Sequence, residues 1–136
     1  MQVAMGMINV NEEDLQFAKQ IGVTHLVTRP ECRPEDGYYP FERLVQLRTR
    51  LEAAGLHVAA IHDVLPQWND KIRQGLPGRD EQIDNYCRSV SNIGRAGIPI
   101  LGYNWMPDGV WRTSRTTRGR GAAEVTSFDM ELAENA

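Results

Sequence analysis

What this sequence has little of bounds it before any motif does. In 136 residues there are only two cysteines, three tryptophans and three phenylalanines, and aromatic residues make up 7% of the chain. Cys32 and Cys87 stand far apart, with no CxxC or Cys/His ligand spacing. Reduced thiols of a cytoplasmic protein are therefore expected, rather than a disulfide framework or a zinc site. No apolar run approaches the roughly 20 residues that a membrane-spanning helix needs, so no membrane partner is expected. The N-terminus carries no basic segment ahead of its apolar residues and turns acidic at Glu12, Glu13 and Asp14, which argues against a signal peptide. The formal net charge is only -3 and the sequence pI ≈ 5.6, so the chain as a whole has no excess of positive charge for nucleic acid. Two nucleotide-binding signatures are missing as well: neither GxGxxG nor GxxxxGK[ST] occurs.

What is present is an alternation of two kinds of segment. Short apolar, partly β-branched runs stand at Val3–Ile8, His25–Thr28, His57–His62 and Ile98–Tyr103. Between them the spacing is helical. Asn11 is placed to cap a helix whose first turn is acidic, with Leu15, Ala18 and Ile21 on one face and Gly22 after it. Pro40 opens a second helix bearing Phe41, Leu44, Leu47 and Leu51, and Gly55 ends it. A third starts near Asp80, carries Ile83, Tyr86, Cys87, Val90 and Ile93, and closes at Gly97. The turn Gly75-Leu-Pro-Gly-Arg-Asp80 precedes it, with Asp80 placed to cap its free N–H groups. Each helix ends in Gly followed by an apolar residue, a C-terminal signal that reverses the chain into the next strand. That recurrence predicts βα units with parallel strands, buried on both faces and covered by helices.

Two architectures fit, an open doubly wound sheet or part of a (β/α)8 barrel, and the missing phosphate-binding loops weigh against the first. A complete barrel takes roughly 250 residues, so four units amount to about half of one. The expectation is a single incomplete domain over residues 1–136. In either architecture ligands bind at the C-terminal ends of the strands. That rule selects Arg29, Glu31 and Cys32 after the second run, His62 and Asp63 after the third, and Asn104 and Trp105 after the fourth. His62 suits acid, base or ligand chemistry near neutral pH; its plainer role is to hydrogen-bond a neighbouring strand end. His25 and His57 begin strands and read as structural. Cys87 shares a helix face with Val90 and reads as packed. Cys32 lies beside Arg29 and Arg33, which should lower its pKa modestly. Trp111 to Gly121 carries Arg112, Arg115, Arg118 and Arg120 without an intervening acid. Such a loop can clamp a carboxylate or phosphate through bidentate guanidinium forks, touch nucleic acid, or simply be a solvated basic surface.

An ordered set of short motifs resembles the D-mannonate dehydratase family. It runs through Leu51-Glu-Ala-Ala-Gly-Leu56, Gly75-Leu-Pro-Gly-Arg-Asp80, Ile83-Asp-Asn-Tyr86, Ala96-Gly-Ile98 and Tyr103-Asn-Trp-Met-Pro107. It continues through Trp111-Arg-Thr113 and Arg118-Gly-Arg-Gly121 to Thr126-Ser-Phe-Asp129. The likeness is to the N-terminal part of the family and covers nearly the whole chain. It departs at Met5-Gly-Met7, where many members carry an Arg-Trp-Tyr-Gly first strand.

The resemblance implies a (β/α)8 TIM barrel of xylose-isomerase-like type with its first four βα units here. It implies loss of water from D-mannonate to give 2-keto-3-deoxy-D-gluconate in hexuronate breakdown, assisted by Mn2+ or Fe2+. Such a cation acidifies the C2 proton and stabilises the enediolate while an acid assists departure of the C3 hydroxyl. The family's metal ligands come from later strands, so none is assigned in this chain. What the chain would contribute is the substrate-facing rim: His62 as the catalytic candidate, with Asn104, Trp105, Arg112, Arg115 and Arg118 toward a small-molecule sugar acid. The reading leaves a homo-oligomer open. Its alternatives are a sugar-acid isomerase or epimerase barrel and a non-catalytic half-barrel binding or assembly module.

Overall fold

The computed structural model describes residues 3–6, 10–106 and 110–135. Contacts divide the chain into two compact units, Met1–Trp105 and Met106–Ala136. In the first, strands β1 (Ala4–Gly6), β2 (His25–Thr28) and β3 (His57–Ile61) lie side by side in chain order, and both pairings are parallel. The expected first run extends to Ile8, and its last two residues lie outside the described ones. Helices α1 (Glu12–Gln20) and α2 (Phe41–Ala53) connect the strands, and α3 (Asp70–Gln74) and α4 (Arg79–Arg95) follow β3. This is an α/β fold with parallel strands.

Local sequence accounts for the helix boundaries. The Asp14 N–H donates to Asn11 Oδ1 at 2.8 Å, the expected N-cap of α1. Pro40 precedes α2, where its missing N–H costs no helical hydrogen bond. Gly22, Gly55 and Gly97 have φ of 80°, 77° and 75°, the left-handed region that glycine enters without a Cβ clash. Leu44, Leu47 and Leu51 are buried on one side of α2, as their spacing predicts.

Four expectations about packing are corrected. Burial on both faces holds only at the end of β3, where the adjacent Ala60 and Ile61 are both buried. In β2, Leu26 and Thr28 are fully buried while His25 and Val27 are only half-buried, the alternation of a sheet covered on one side. Ile21 does not join the α1 face; it is the C-cap and stays exposed, and Val23 packs against the core instead. Along α4 the buried positions are Ser89 and Ile93, with Tyr86 packed beside them. Ile83, Cys87 and Val90 face solvent. The inward face is marked by a serine because its hydroxyl is satisfied: Ser89 Oγ donates to the Asn85 carbonyl and accepts from the Tyr39 N–H, both at 3.0 Å. Finally, Ile98–Tyr103 forms no strand. It joins the sheet through one parallel bridge between Ile61 and Leu101, with Ile61 N–H to the Ile100 carbonyl at 2.9 Å and Gly102 N–H to the Ile61 carbonyl at 2.8 Å. Pro99 has no N–H to extend the ladder. At Gly102 the chains approach so closely that any Cβ would overlap the His62 carbonyl oxygen.

The second unit differs from expectation too. The arginine-rich segment is not an open loop but an antiparallel hairpin of β4 (Ser114–Arg118) and β5 (Glu124–Ser127), followed by α5 (Met130–Glu134). Between the paired positions Ser114↔Ser127 and Thr117↔Val125, β4 spends one residue more than β5, a bulge. Asp129 caps α5, accepting from the N–H groups of Glu131 and Leu132, and its own N–H donates to Thr113 Oγ1 at 2.8 Å.

Candidate functional site

The C-terminal ends of β2 and β3 bring three charged or titratable side chains together. Asp63 Oδ1 accepts from an Arg29 guanidinium nitrogen at 3.4 Å and lies 3.0 Å from His62 Nδ1. Arg29 and Asp63 are mostly shielded, with side-chain exposures of 27% and 18%. The His62 ring is 52% exposed, so one edge is held while the rest is open to a ligand. The bond to a neighbouring strand end is made by the His62 backbone, whose N–H donates to the Thr28 carbonyl at 2.9 Å, while the ring stands against Asp63, a contact of the kind that orients an imidazole for proton transfer.

This pair rests on a buried scaffold that the sequence did not announce. Tyr39 is fully buried. Its hydroxyl donates to the Asp63 carbonyl at 2.7 Å, and its own carbonyl accepts from Asn92 Nδ2 at 2.9 Å. Its ring meets Trp68 edge-on with centroids 5.1 Å apart, and Trp68 Nε1 donates to the Pro34 carbonyl at 2.7 Å. Burial pushes the Tyr39 hydroxyl above the usual tyrosine range, with Arg29 opposing and Asp63 adding, so it remains a donor. The one available signal was the Tyr38-Tyr39-Pro40 cluster just before α2; a partner 24 residues downstream has no local signature.

Cys32 corrects an expectation. Its thiol is not lowered but pushed up to about 11, first by burial and then by Asp36, with Arg43 opposing. It is a protonated, half-buried thiol at neutral pH. His25 and His57 keep their structural reading: they are register partners at the strand beginnings, with ring centroids 5.3 Å apart. Asp80 does not cap α4, since the N-cap is Gly78 with no side-chain bond. Gln82 instead ties α4 to the first turn of α3, its Oε1 accepting from the Lys71 and Ile72 N–H groups and its Nε2 donating to Asp70 Oδ1 at 2.7 Å.

Asn104 and Trp105 follow the Leu101 bridge at the same end of the sheet as His62, and both are exposed. The Trp105 ring stands edge-on to Tyr86 of α4, with centroids 6.2 Å apart. Arg112, Arg115 and Arg118 belong to the second unit. There Arg112 is held, Nε to Thr126 Oγ1 at 3.0 Å and a terminal nitrogen to the Trp111 carbonyl at 2.8 Å. Its side chain lines an apolar cavity with Trp111, Phe128 and Leu132. Arg115 and Arg118 are exposed on β4.

A divalent metal does not fit these residues. Among the described residues no three His, Cys, Asp or Glu side chains gather into a metal-holding group. Asp63 already shares one oxygen between a guanidinium and an imidazole, and Cys32 is held as the thiol rather than the thiolate a metal takes.

A parallel-stranded α/β layer with an acid–imidazole pair at its strand ends defines the class, an α/β protein with strand-end chemistry. The particular family follows from comparison: residues 7–136 match the family model "D-mannonate dehydratase (UxuA)", and the chain belongs to that family. Mannonate dehydratase of Streptococcus equi subsp. zooepidemicus is 42% identical over 93 residues, 68% of this chain and 25% of that protein. The Thermotoga maritima enzyme is 33% identical over 102 residues, 74% of this chain and 28% of that protein. The crystal structure of mannonate dehydratase from Streptococcus suis serotype 2 superposes with a TM-score of 0.83 at 28% identity, over 100% of this chain and 39% of that one. The chain thus spans about a quarter of the length of these curated relatives. Among the described residues no helix is long and apolar enough to cross a membrane.

Proposed function

We propose that the protein is a cytoplasmic hydro-lyase that removes water from D-mannonate to give 2-keto-3-deoxy-D-gluconate. In this reading residues 1–136 supply the first βα units, about half, of one (β/α)8 barrel of xylose-isomerase-like type. The family match over residues 7–136 carries the proposal. The reaction takes a proton from C2 and hydroxide from C3, and the resulting enol tautomerises to the 2-keto acid. One group must accept the C2 proton and another must protonate the departing oxygen. His62, oriented by Asp63, is suited to one of these transfers. Asn104 offers an amide to sugar-acid hydroxyls, and Trp105 an apolar face. Arg112, Arg115 and Arg118 offer guanidinium forks for the carboxylate or order the segment that closes on it. The Mn2+ or Fe2+ of the reading is held by residues outside positions 1–136.

The test is formation of 2-keto-3-deoxy-D-gluconate by the full-length chain supplied with Mn2+ or Fe2+. Arg112→Ala, Arg115→Ala and Arg118→Ala should each be tested there at unchanged thermal stability. At least one should raise KM or lower kcat by about tenfold or more, the scale of a lost charge-assisted contact. Wild-type kinetics in all three would make the hairpin a solvated basic surface. Residues 1–136 alone should bind manganese weakly and show no turnover.

A further inference from the structure

Next to the strand-end cluster lies a cavity of about 230 Å3 that the proposed dehydration does not use. Its polar walls are Arg29 and Glu31, from the segment after β2, and Arg43, Gln46 and Arg50 of α2. The three α2 residues recur at i, i+3 and i+7, which sets them along one face of that helix. That face borders the buried leucine stripe, whose Leu47 also lines the cavity while Leu44 and Leu51 do not. Three arginines and one glutamate thus line a single concavity.

Other arginines of the first unit are paired locally. Arg33 pairs with Glu35 and Asp36, Arg48 with Glu52, and Arg79 with Asp80. The side chains of Arg43 and Arg50 form no ion pair or hydrogen bond among the described residues, and both residues are exposed. The positive field of Arg43 is felt as far as Cys32, whose thiol it works to acidify against the effect of burial. Like charges facing one cleft repel each other, and a multivalent oxyanion relieves that repulsion while accepting several N–H groups in forked pairs. A water's share of liquid volume is about 30 Å3, so the cavity has room for a tetrahedral oxyanion with its waters or for a small group attached to it.

We propose that this cleft binds a compact oxyanion of the phosphate type, held by Arg43 and Arg50 and closed on one side by Arg29, with the Gln46 amide as a further donor. Glu31 leaves the wall net positive and disfavours a second anion. Arg29 is common to the cleft and to Asp63, so an occupant draws on the same guanidinium that steadies the His62–Asp63 pair. The proposal is independent of the substrate of the strand-end site.

The test is titration of inorganic phosphate, and separately of glucose 6-phosphate, into the full-length chain without sugar acid, followed by calorimetry and by NMR of the arginine Nε–H groups. Wild type should bind saturably, with Arg43 and Arg50 resonances moving. The double variant Arg43→Gln/Arg50→Gln, checked for folding by circular dichroism, should weaken binding by about tenfold or more. The pair Arg115→Gln/Arg118→Gln should bind phosphate as wild type does. Tighter binding of glucose 6-phosphate marks a phosphorylated metabolite as the occupant, and equal binding marks the free ion; both support the site. No saturable binding by wild type, or binding kept by the cleft variant and lost by the hairpin variant, overturns it.

Discussion

The two units of this chain solve the problem of order in different ways. In Met1–Trp105 the helices fold back across a parallel sheet and bury a continuous core from Val10 to Ile98. In Met106–Ala136 no described residue is buried. Trp111, Phe128, Met130 and Leu132 are at least half exposed, and Val125 nearly so. Order there comes from the β4–β5 ladder, the Thr113–Asp129 bond and the Asp129 cap. A two-stranded hairpin is marginally stable by itself in water. The same residue types therefore carry different meanings: a leucine at helical spacing in the first unit is held by burial, while in the second the ladder and side-chain hydrogen bonds give order and its apolar residues stay exposed.

Paired substitutions sharpen that contrast. Leu51 is fully buried, so Leu51→Ala should lower unfolding free energy by about 3 kcal/mol, transfer and cavity costs together. Val125→Ala on the exposed hairpin should cost under about 0.5 kcal/mol. Urea denaturation of both variants checks the pair, and comparable losses would erase the distinction.

Covered and uncovered cysteines offer a second pair. The Cys32 thiol, raised to about 11, has little thiolate at pH 8, whereas Cys87 is exposed on α4. Iodoacetamide followed by peptide mass mapping should modify the exposed Cys87 first, with Cys32 reacting roughly a hundredfold more slowly than an ordinary free thiol, since the thiolate is the nucleophile. The sign for stability follows. The folded chain keeps the Cys32 proton longer than the unfolded chain, so this group's stabilising contribution is full below the unfolded value of about 8.5 and is lost as pH rises toward 11.

The smallest contrast concerns single hydroxyls. Tyr39→Phe removes the donor to the Asp63 carbonyl inside the core and should cost about 1 kcal/mol. Thr117→Val removes the exposed contact with Ser127 Oγ and should leave stability within about 0.5 kcal/mol. A larger loss from the threonine would mean that the hairpin is held more like the core than its exposure indicates.

The parts of the fold legible in the sequence are those decided within a few residues. The Asn11 cap, the Pro40 start, the leucine stripe of α2 and the three glycine stops all depend on neighbours in sequence, and all are present. The strand-end rule likewise selected Arg29, His62 and Asp63, which the structure joins. What failed to show depends on partners far along the chain. The inward face of α4 turns on Ser89, whose partner is 50 residues away at Tyr39, so hydrophobicity pointed instead to Ile83, Cys87 and Val90. Neighbouring arginines are visible in sequence and burial is not, so the sequence points to a lowered Cys32 thiol where the structure raises it. The hairpin escaped because Ser114–Arg118 is polar throughout, without the apolar alternation that announces a strand.

The attachment of Ile98–Tyr103 to the sheet has a mechanical consequence. Its two hydrogen bonds both converge on Ile61, one to its N–H and one from its carbonyl. The β2–β3 pair, by contrast, is laced over the four register partners from His25 to Thr28. A load shared along a ladder is resisted by all its rungs in concert, whereas a load on one point is a hinge pin. Force applied to the chain beyond Trp105 would first pull the Trp105 ring from Tyr86 and then part the Ile61–Leu101 seam while the three true strands still held.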